Sequence, residues 1–161
     1  MEKIINFIAS GFFISYLPVF IFKKKGRFKG CGFMGSLLAF VLYPYLIPER
    51  YAKRVIFIIS FLLFSIWVSE NAFSKEKEKD NPLIVIDEIC GYFFGFFFIA
   101  KDIFNAVILF IFFRIFDTIK PFPIKRVEKI KMKGLAIVFD DIIAATYAGV
   151  IILALHLIKM L

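Results

Sequence analysis

Six long apolar runs, separated by short charged segments, are the feature that most restricts the fold of this chain of 161 residues. The first run, 4–22, has 19 residues without a charge, enough for a helix across about 30 Å of hydrocarbon. The other runs are 36–47, 55–68, 83–100, 103–116 and 135–158. The chain is 61% hydrophobic, whereas soluble domains average about 45–50% apolar residues. The sequence therefore predicts an all-α integral membrane bundle of about six helices, folded as one domain over 1–161.

The segments between the runs carry most of the positive charge. The first, third and fifth segments hold five, three and six of the 21 Lys and Arg residues, so the positive-inside bias places these segments in the cytosol. The net charge of +8 alone could suggest nucleic acid, but cations confined to short segments between apolar runs argue against that partner. The segment 30–35 is predicted to be a glycine-rich turn, and Pro82 is predicted in the first turn of the fourth helix. The second run is short and contains Pro44, which leaves open whether it spans the bilayer.

Acidic residues inside apolar runs are the strongest functional signal. Asp140 and Asp141 are adjacent within the sixth run, although a carboxylate in hydrocarbon costs about 2.5–3.5 kcal/mol. The other acids of this kind lie at the ends of runs beside the third and fifth segments: Glu70, Asp87, Glu88 and Asp117. The layout predicts that these acids meet at the cytosolic edge of the bundle.

Small residues at helical spacing sharpen this prediction. Asp87, Gly91 and Gly95 share one stripe of the fourth helix, and Asp141 begins a similar stripe of alanine and glycine on the sixth. Small residues allow helices to approach closely in a membrane, so packing along the stripes would bring Asp87 and Asp141 together. Arg114 and Asp117, three residues apart, share a face of the fifth helix.

A group of carboxylates points to a bound cation. Several acids cannot ionise side by side unless a positive charge offsets them, and a set of oxygen ligands favours Mg²⁺. The alternative is structural ion pairing with Arg114 and the lysines of the fifth segment. Both interpretations remain open at this point.

Other kinds of site have little support. The single histidine, His156, is predicted at the far end of the sixth helix from the acids, so a Ser-His-Asp arrangement lacks its base. Cys31 and Cys90 have neither zinc-ligand nor disulfide-framework spacing and are predicted to be small buried side chains. The glycines of 30–35 could lend backbone amides to a phosphate or could simply allow a tight loop.

The chain resembles the phosphatidylglycerophosphatase A family of bacterial membrane enzymes. The likeness is carried by Ile84-Val85-Ile86-Asp87-Glu88-Ile89-Cys90-Gly91, by the Arg-x-x-Asp-x-x-Lys-Pro element from Arg114 to Pro121, and by Gly134 to Ala145 with its Asp-Asp pair. Met34-Gly35-Ser36-Leu37 is similar to the glycine loop of the family, although Cys31 and Phe33 stand where a Pro and a Thr are usual.

The resemblance implies Mg²⁺-dependent removal of the terminal phosphate from the phospholipid phosphatidylglycerophosphate. It also implies a bundle with one central helix, in the bacterial inner (cytoplasmic) membrane, with its site facing the cytosol. The hypothesis assigns one or two Mg²⁺ to Asp87, Glu88, Asp140 and Asp141, with Asp117 as a further ligand or orienting group. Arg114 and Lys120 would bind the substrate phosphate.

Two questions stay open at the level of sequence. The nucleophile is either a metal-activated water or an aspartate that forms a phospho-aspartyl intermediate. The competing function is a membrane transporter or ion-pathway protein, because intramembrane carboxylates also mark such routes. Acids gathered at one edge, rather than along a path through the bilayer, favour the enzyme. The oligomeric state is not indicated by the sequence.

Overall fold

The computed structural model describes residues 2–22, 30–73, 81–127 and 130–158. Over these residues all regular structure is α-helical, as the sequence predicted. The helices are α1 (Glu2–Ala9), α2 (Tyr16–Phe22), α3 (Cys31–Leu46), α4 (Tyr51–Asn71), α5 (Ile86–Gly95), α6 (Ile103–Ile119), α7 (Ile124–Val127) and α8 (Lys133–Leu157).

The long helix α8 lies at the centre of the bundle. It packs against α4, α5, α6 and α7, and α5 in turn contacts α3, α4 and α6. Ala144, Ala145 and Ala148 of α8 are fully buried, and such small side chains allow the neighbouring backbones to approach closely. The core around them is aromatic, with Tyr92 and Phe113 among its largest fully buried side chains.

The first apolar run is not one spanning helix, so that prediction is wrong. It divides into α1 and α2 around a turn in which Gly11, Phe12 and Phe13 have positive φ angles. The Ser10 hydroxyl accepts a hydrogen bond from the backbone N–H of Phe13 (3.2 Å), which satisfies a donor that a continuous helix would have paired. A contact distant in sequence holds this break, because the backbone N–H of Val85 donates to the Ala9 carbonyl (2.8 Å) at the end of α1.

The prediction of a glycine-rich turn at 30–35 is also wrong. Only Gly30 lies outside the helix, with φ at 131°, a value that favours glycine. Residues 31–35 form the beginning of α3, which continues through Pro44 to Leu46. Gly32 and Gly35 therefore lie on the helix, and both approach Glu88 of α5.

The fourth apolar run contains a helix of only 10 residues, shorter than predicted. The buried Arg54 of α4 donates hydrogen bonds to the carbonyls of Phe96 (3.4 Å) and Ile99 (2.9 Å), and these contacts satisfy acceptors beyond the end of α5. At its beginning the helix starts at Ile86, so Pro82 lies in the preceding turn and not in the first helical turn.

Within the part of the chain that the structure describes, two helices, α4 and α8, are long and apolar enough to cross a membrane. Their 21 and 25 residues correspond to about 31 and 37 Å of helix, compared with about 30 Å of hydrocarbon. Large apolar side chains are also exposed along α4 and α6, a pattern that marks contact with lipid or another apolar partner. They include Ile56, Ile59, Leu63, Phe64 and Trp67 on α4, and Phe104, Val107, Ile111, Ile115 and Ile119 on α6.

Candidate functional site

The site begins with the close approach of α5 and α8. A methyl group at Gly91 of α5 would lie 2.7 Å from the Asp141 Cβ of α8, so only glycine allows this approach. Asp87 lies one helical turn before Gly91 and therefore reaches the same region. The other glycines of the two stripes face different neighbours: Gly95 faces Leu109 of α6, and Gly149 faces Phe98.

Three carboxylates meet between these helices. One oxygen from each of Asp87, Glu88 and Asp141 lies within 4.8 Å of the other two, and we call these residues the acid triad. The side chains of Asp87 and Asp141 are buried. Among the residues that the structure describes, Glu88 Oε2 and Asp141 Oδ1 are buried without a hydrogen-bond partner. The triad therefore offers oxygen ligands that the protein itself does not satisfy.

The pKa of Glu88 reflects its burial beside other carboxylates. Burial raises the pKa of Glu88 well above its usual range, and the Asp87 carboxylate raises it further by its charge and through a shared hydrogen bond. The charge of Asp117 adds to this rise in pKa, while the Arg114 guanidinium opposes it. A cation bound among these oxygens would favour the ionised form of all three acids.

A second group near the triad is an ion pair between an arginine and an aspartate of α6. Arg114 Nη1 on α6 lies 2.8 Å from Asp117 Oδ2, one turn later on the same helix. The same nitrogen donates to the Ser36 hydroxyl of α3 at 3.1 Å. The predicted pair thus lies on one face of α6, and Asp117 is engaged with Arg114.

A third group pairs a lysine with the acid next to the triad. Lys120, the residue that follows α6, has a left-handed backbone conformation with φ at 49°. Its ammonium nitrogen lies 2.5 Å from Asp140 Oδ2. Asp140 and Asp141 are adjacent, but successive helical residues point about 100° apart, so the two carboxylates have different neighbours.

The remaining residues considered from the sequence lie elsewhere. Glu70 is exposed and accepts a hydrogen bond from the backbone N–H of Gly134 (2.5 Å) in the first turn of α8, so it is outside the triad. His156 lies in the last turn of α8, at the opposite end from Asp141, as predicted. Cys31 and Cys90 are buried free thiols, as predicted. Asp80 and the first and third charged segments (23–29 and 74–80) lie outside the described residues.

Two residues near the site, Gly32 and Ser36, were considered in the sequence only as parts of a glycine-rich turn. Ser36 contacts Arg114, and Gly32 faces Glu88 so closely that a side chain there would overlap the Glu88 carboxylate. Their four-residue spacing is the signal that could have identified them, because it places both on one face of a helix. The prediction of a turn at 30–35 hid this pattern.

Comparison with known proteins gives consistent results. A family model described as phosphatidylglycerophosphatase A matches residues 7–156. The chain is 29% identical over 127 residues to a Haemophilus influenzae protein named phosphatidylglycerophosphatase A, with 78% of each chain covered. It is 27% identical over 153 residues to a Bacteroides thetaiotaomicron protein named "Putative phosphatidylinositol-3-phosphatase", with 86% of this chain and 92% of that protein covered. No solved structure matches the chain.

Proposed function

The chain belongs to the phosphatidylglycerophosphatase A family, and from this premise we propose that it hydrolyses the terminal phosphate of phosphatidylglycerophosphate at the cytosolic membrane face with the help of Mg²⁺. The resemblance noted in the sequence is thereby confirmed, and the family makes the chain a phosphatase. The products are phosphatidylglycerol and inorganic phosphate.

The observation that carries the proposal is the acid triad. Its ligands are all oxygens, and two of these oxygens are buried without a described partner. This donor set suits Mg²⁺, which binds carboxylate oxygens and usually keeps several waters. Asp87, Glu88 and Asp141 would hold the ion, which when bound supplies Lewis-acid polarisation of the phosphate and a water of lowered pKa.

The two cations beside the triad are suited to hold the phosphate. Arg114 has a planar guanidinium that can donate two parallel hydrogen bonds to phosphate oxygens. Lys120, which is paired with Asp140, adds a compact positive charge. As the bond between phosphorus and the glycerol oxygen breaks, both side chains stabilise the negative charge on the transferring group. Asp117 and Asp140 fix the positions of these cations through the observed ion pairs.

The nucleophile remains one of the two predicted choices. In direct hydrolysis an oxygen from water forms the new bond to phosphorus and the glycerol oxygen takes up a proton. In the alternative route an aspartate forms a phosphoryl-enzyme that water then cleaves. Acid quenching during turnover of a substrate with a ³²P-labelled terminal phosphate separates them, because ³²P bound to the protein as a hydroxylamine-sensitive acyl phosphate would refute direct attack by water.

The helices and their exposed apolar surface support a placement in the membrane. We propose α4 and α8 as spans, with the end of α4 and the beginning of α8 at the cytosolic face. The site is then about 12 Å along α8 from Lys133, close enough to the surface for a lipid head group. The exposed apolar side chains of α6 end near Arg114 and would face the acyl region. Lys120, Lys131 and Lys133 lie on the proposed cytosolic side, in accordance with the positive-inside bias.

The transporter alternative has less support. Among the described residues the acids of the apolar runs group between α5, α6 and the first turns of α8, and a transport path would place polar groups across the full thickness of the bilayer. This distribution favours a reaction at one membrane face over transport.

The test is release of inorganic phosphate from lipid phosphomonoesters by the purified full-length protein in detergent. The substrates are phosphatidylglycerophosphate, phosphatidylinositol 3-phosphate and phosphatidic acid, each with Mg²⁺ or with EDTA. We expect phosphatidylglycerophosphate to be hydrolysed fastest and EDTA to abolish the activity. Equal rates in EDTA would refute the metal site, and a preference for the inositol lipid would reassign the substrate.

A further inference from the structure

Ser36 occupies an unusual place between two parts of the site. Its side chain is fully buried on α3. Its hydroxyl donates to the Gly32 carbonyl one turn earlier (3.0 Å) and accepts from Arg114 Nη1 (3.1 Å). Because the single hydroxyl proton is used on the Gly32 carbonyl, the oxygen presents its lone pairs to the guanidinium. The serine therefore acts towards Arg114 only as an acceptor.

One nitrogen of the Arg114 guanidinium interacts with two acceptors. Nη1 contacts both Ser36 Oγ (3.1 Å) and Asp117 Oδ2 (2.8 Å). A guanidinium fixed through one nitrogen keeps its other N–H groups for a ligand. Two acceptors on separate helices, α3 and α6, also define its orientation better than one acceptor could.

The position of α3 gives this contact a function. A methyl group at Gly32 would overlap the Glu88 carboxylate and would lie 3.5 Å from Arg114 Nη1, so this turn of α3 borders both the triad and the arginine. Without an acceptor on α3, the attraction of the Glu88 carboxylate would draw the guanidinium towards the triad. Arg114 would then occupy the space of the cation and turn away from the phosphate.

We propose that Ser36 is a positioning residue, which holds the Arg114 guanidinium on α3 so that it faces the substrate phosphate and stays out of the acid triad. This inference rests on the proposed phosphatase function. It assigns a role to α3 that neither the family match nor the sequence motifs assign.

The experiment compares Ser36→Ala and Arg114→Ala, alone and combined, in the full-length protein. Binding of inorganic phosphate in the presence of Mg²⁺ is measured by calorimetry, and kcat and KM are measured with phosphatidylglycerophosphate. Ser69→Ala is the matched control, because Ser69 is equally buried on α4 and its hydroxyl has no partner among the described residues. Ser36→Cys is a second variant, which keeps the side-chain volume but offers a much weaker acceptor.

We expect Ser36→Ala to weaken phosphate binding and to raise KM about tenfold, the effect of losing a hydrogen bond to a charged group, with a smaller change in kcat. Ser36→Cys should shift KM in the same direction, and Ser69→Ala should change neither quantity. In the Arg114→Ala background the Ser36 substitution should have no further effect, because its role acts through the arginine.

Three outcomes would overturn the inference. Phosphate binding and KM unchanged in both Ser36 variants would refute the positioning role while the phosphatase function stands. An equal loss with and without Arg114 would make Ser36 a structural residue only. Wild-type protein that neither binds nor releases phosphate would refute the proposed function and this inference with it.

Discussion

The acid triad makes a prediction about stability that does not depend on turnover. We expect Mg²⁺ to raise the melting temperature of the wild-type protein, and Asp141→Asn to remove this effect. The ion binds the folded triad but not the unfolded chain, in which the three carboxylates are far apart. Binding therefore stabilises the folded state by about 2.7 kcal/mol when the free ion is at a hundredfold excess over its dissociation constant.

The size of the shift follows from the length of the chain. For about 150–250 residues each kcal/mol moves the melting temperature by about 2–4 °C, so the expected rise is about 5–10 °C. In EDTA, without the ion, we expect the order of the two melting temperatures to reverse. Two ionised carboxylates with oxygens within 4.8 Å of each other repel by about 3.5 kcal/mol or more at an effective dielectric constant of about 20. Asp141→Asn removes two of the three such pairs, so the variant should melt above the wild type in EDTA. The gain in stability should be smaller than the summed repulsion of the two pairs, because protonation already relieves part of that repulsion.

The buried cysteines provide the assay. Cys31 and Cys90 are each 1% exposed, so a thiol-reactive dye will label them only when the protein unfolds. Asp102→Asn is the matched control: Asp102 caps the beginning of α6, at the opposite end from Arg114, and asparagine can keep that cap. This control should retain the full Mg²⁺ shift. A shift of equal size in Asp141→Asn and wild type, or none in either, would refute the triad as the metal site.

Three further substitutions test other parts of the structure. Lys120→Ala should raise KM for the lipid substrate more than it lowers kcat, since it removes a charge that binds phosphate; steady-state kinetics will show whether kcat falls instead. Gly91→Ala should destabilise the fold by about 1–3 kcal/mol in thermal melts, because the new methyl would lie 2.7 Å from Asp141 Cβ and 2.9 Å from the Phe113 ring; an unchanged melting temperature would contradict the close packing of α5 and α8. Glu70→Ala should lower stability by about 1 kcal/mol through loss of the contact to the first turn of α8, with kcat retained, and a loss of kcat would place Glu70 in the site.

The sequence predicted the features that depend on the cost of burying acids and on the spacing of residues along a helix. Acids within apolar runs are costly to bury, and this singled out six acids in the sequence, three of which form the triad. The helical spacing of Asp87 and Gly91 correctly indicated which face of α5 meets Asp141. The break between α1 and α2 and the early end of α5 were not predicted, because contacts distant in sequence stabilise them. Gly11 packs against Val85, and Arg54 donates to carbonyls beyond the end of α5. No local pattern at these positions indicates the partner.

The two interpretations of the acids, metal binding and ion pairing, each apply to different members of the group. Asp117 pairs with Arg114 and Asp140 pairs with Lys120, whereas the triad brings three carboxylates within 4.8 Å of one another. We therefore expect the adjacent Asp140→Asn and Asp141→Asn to behave differently. Asp140→Asn should keep the Mg²⁺-dependent rise in melting temperature and raise KM, because it releases Lys120. Asp141→Asn should lose both the rise in melting temperature and turnover, by several orders of magnitude.

The contrast is decisive because the two substitutions have the same chemistry one residue apart. If Asp140→Asn also lost the Mg²⁺ shift, Asp140 would be a metal ligand, as the sequence first indicated, and the Lys120 pair would belong to a state without the ion. If both variants kept the shift, the cation would bind elsewhere and the triad would be a structural cluster. Only a retained shift in the first and a lost shift in the second fits a site in which three acids bind the metal and two acids hold the groups that bind phosphate.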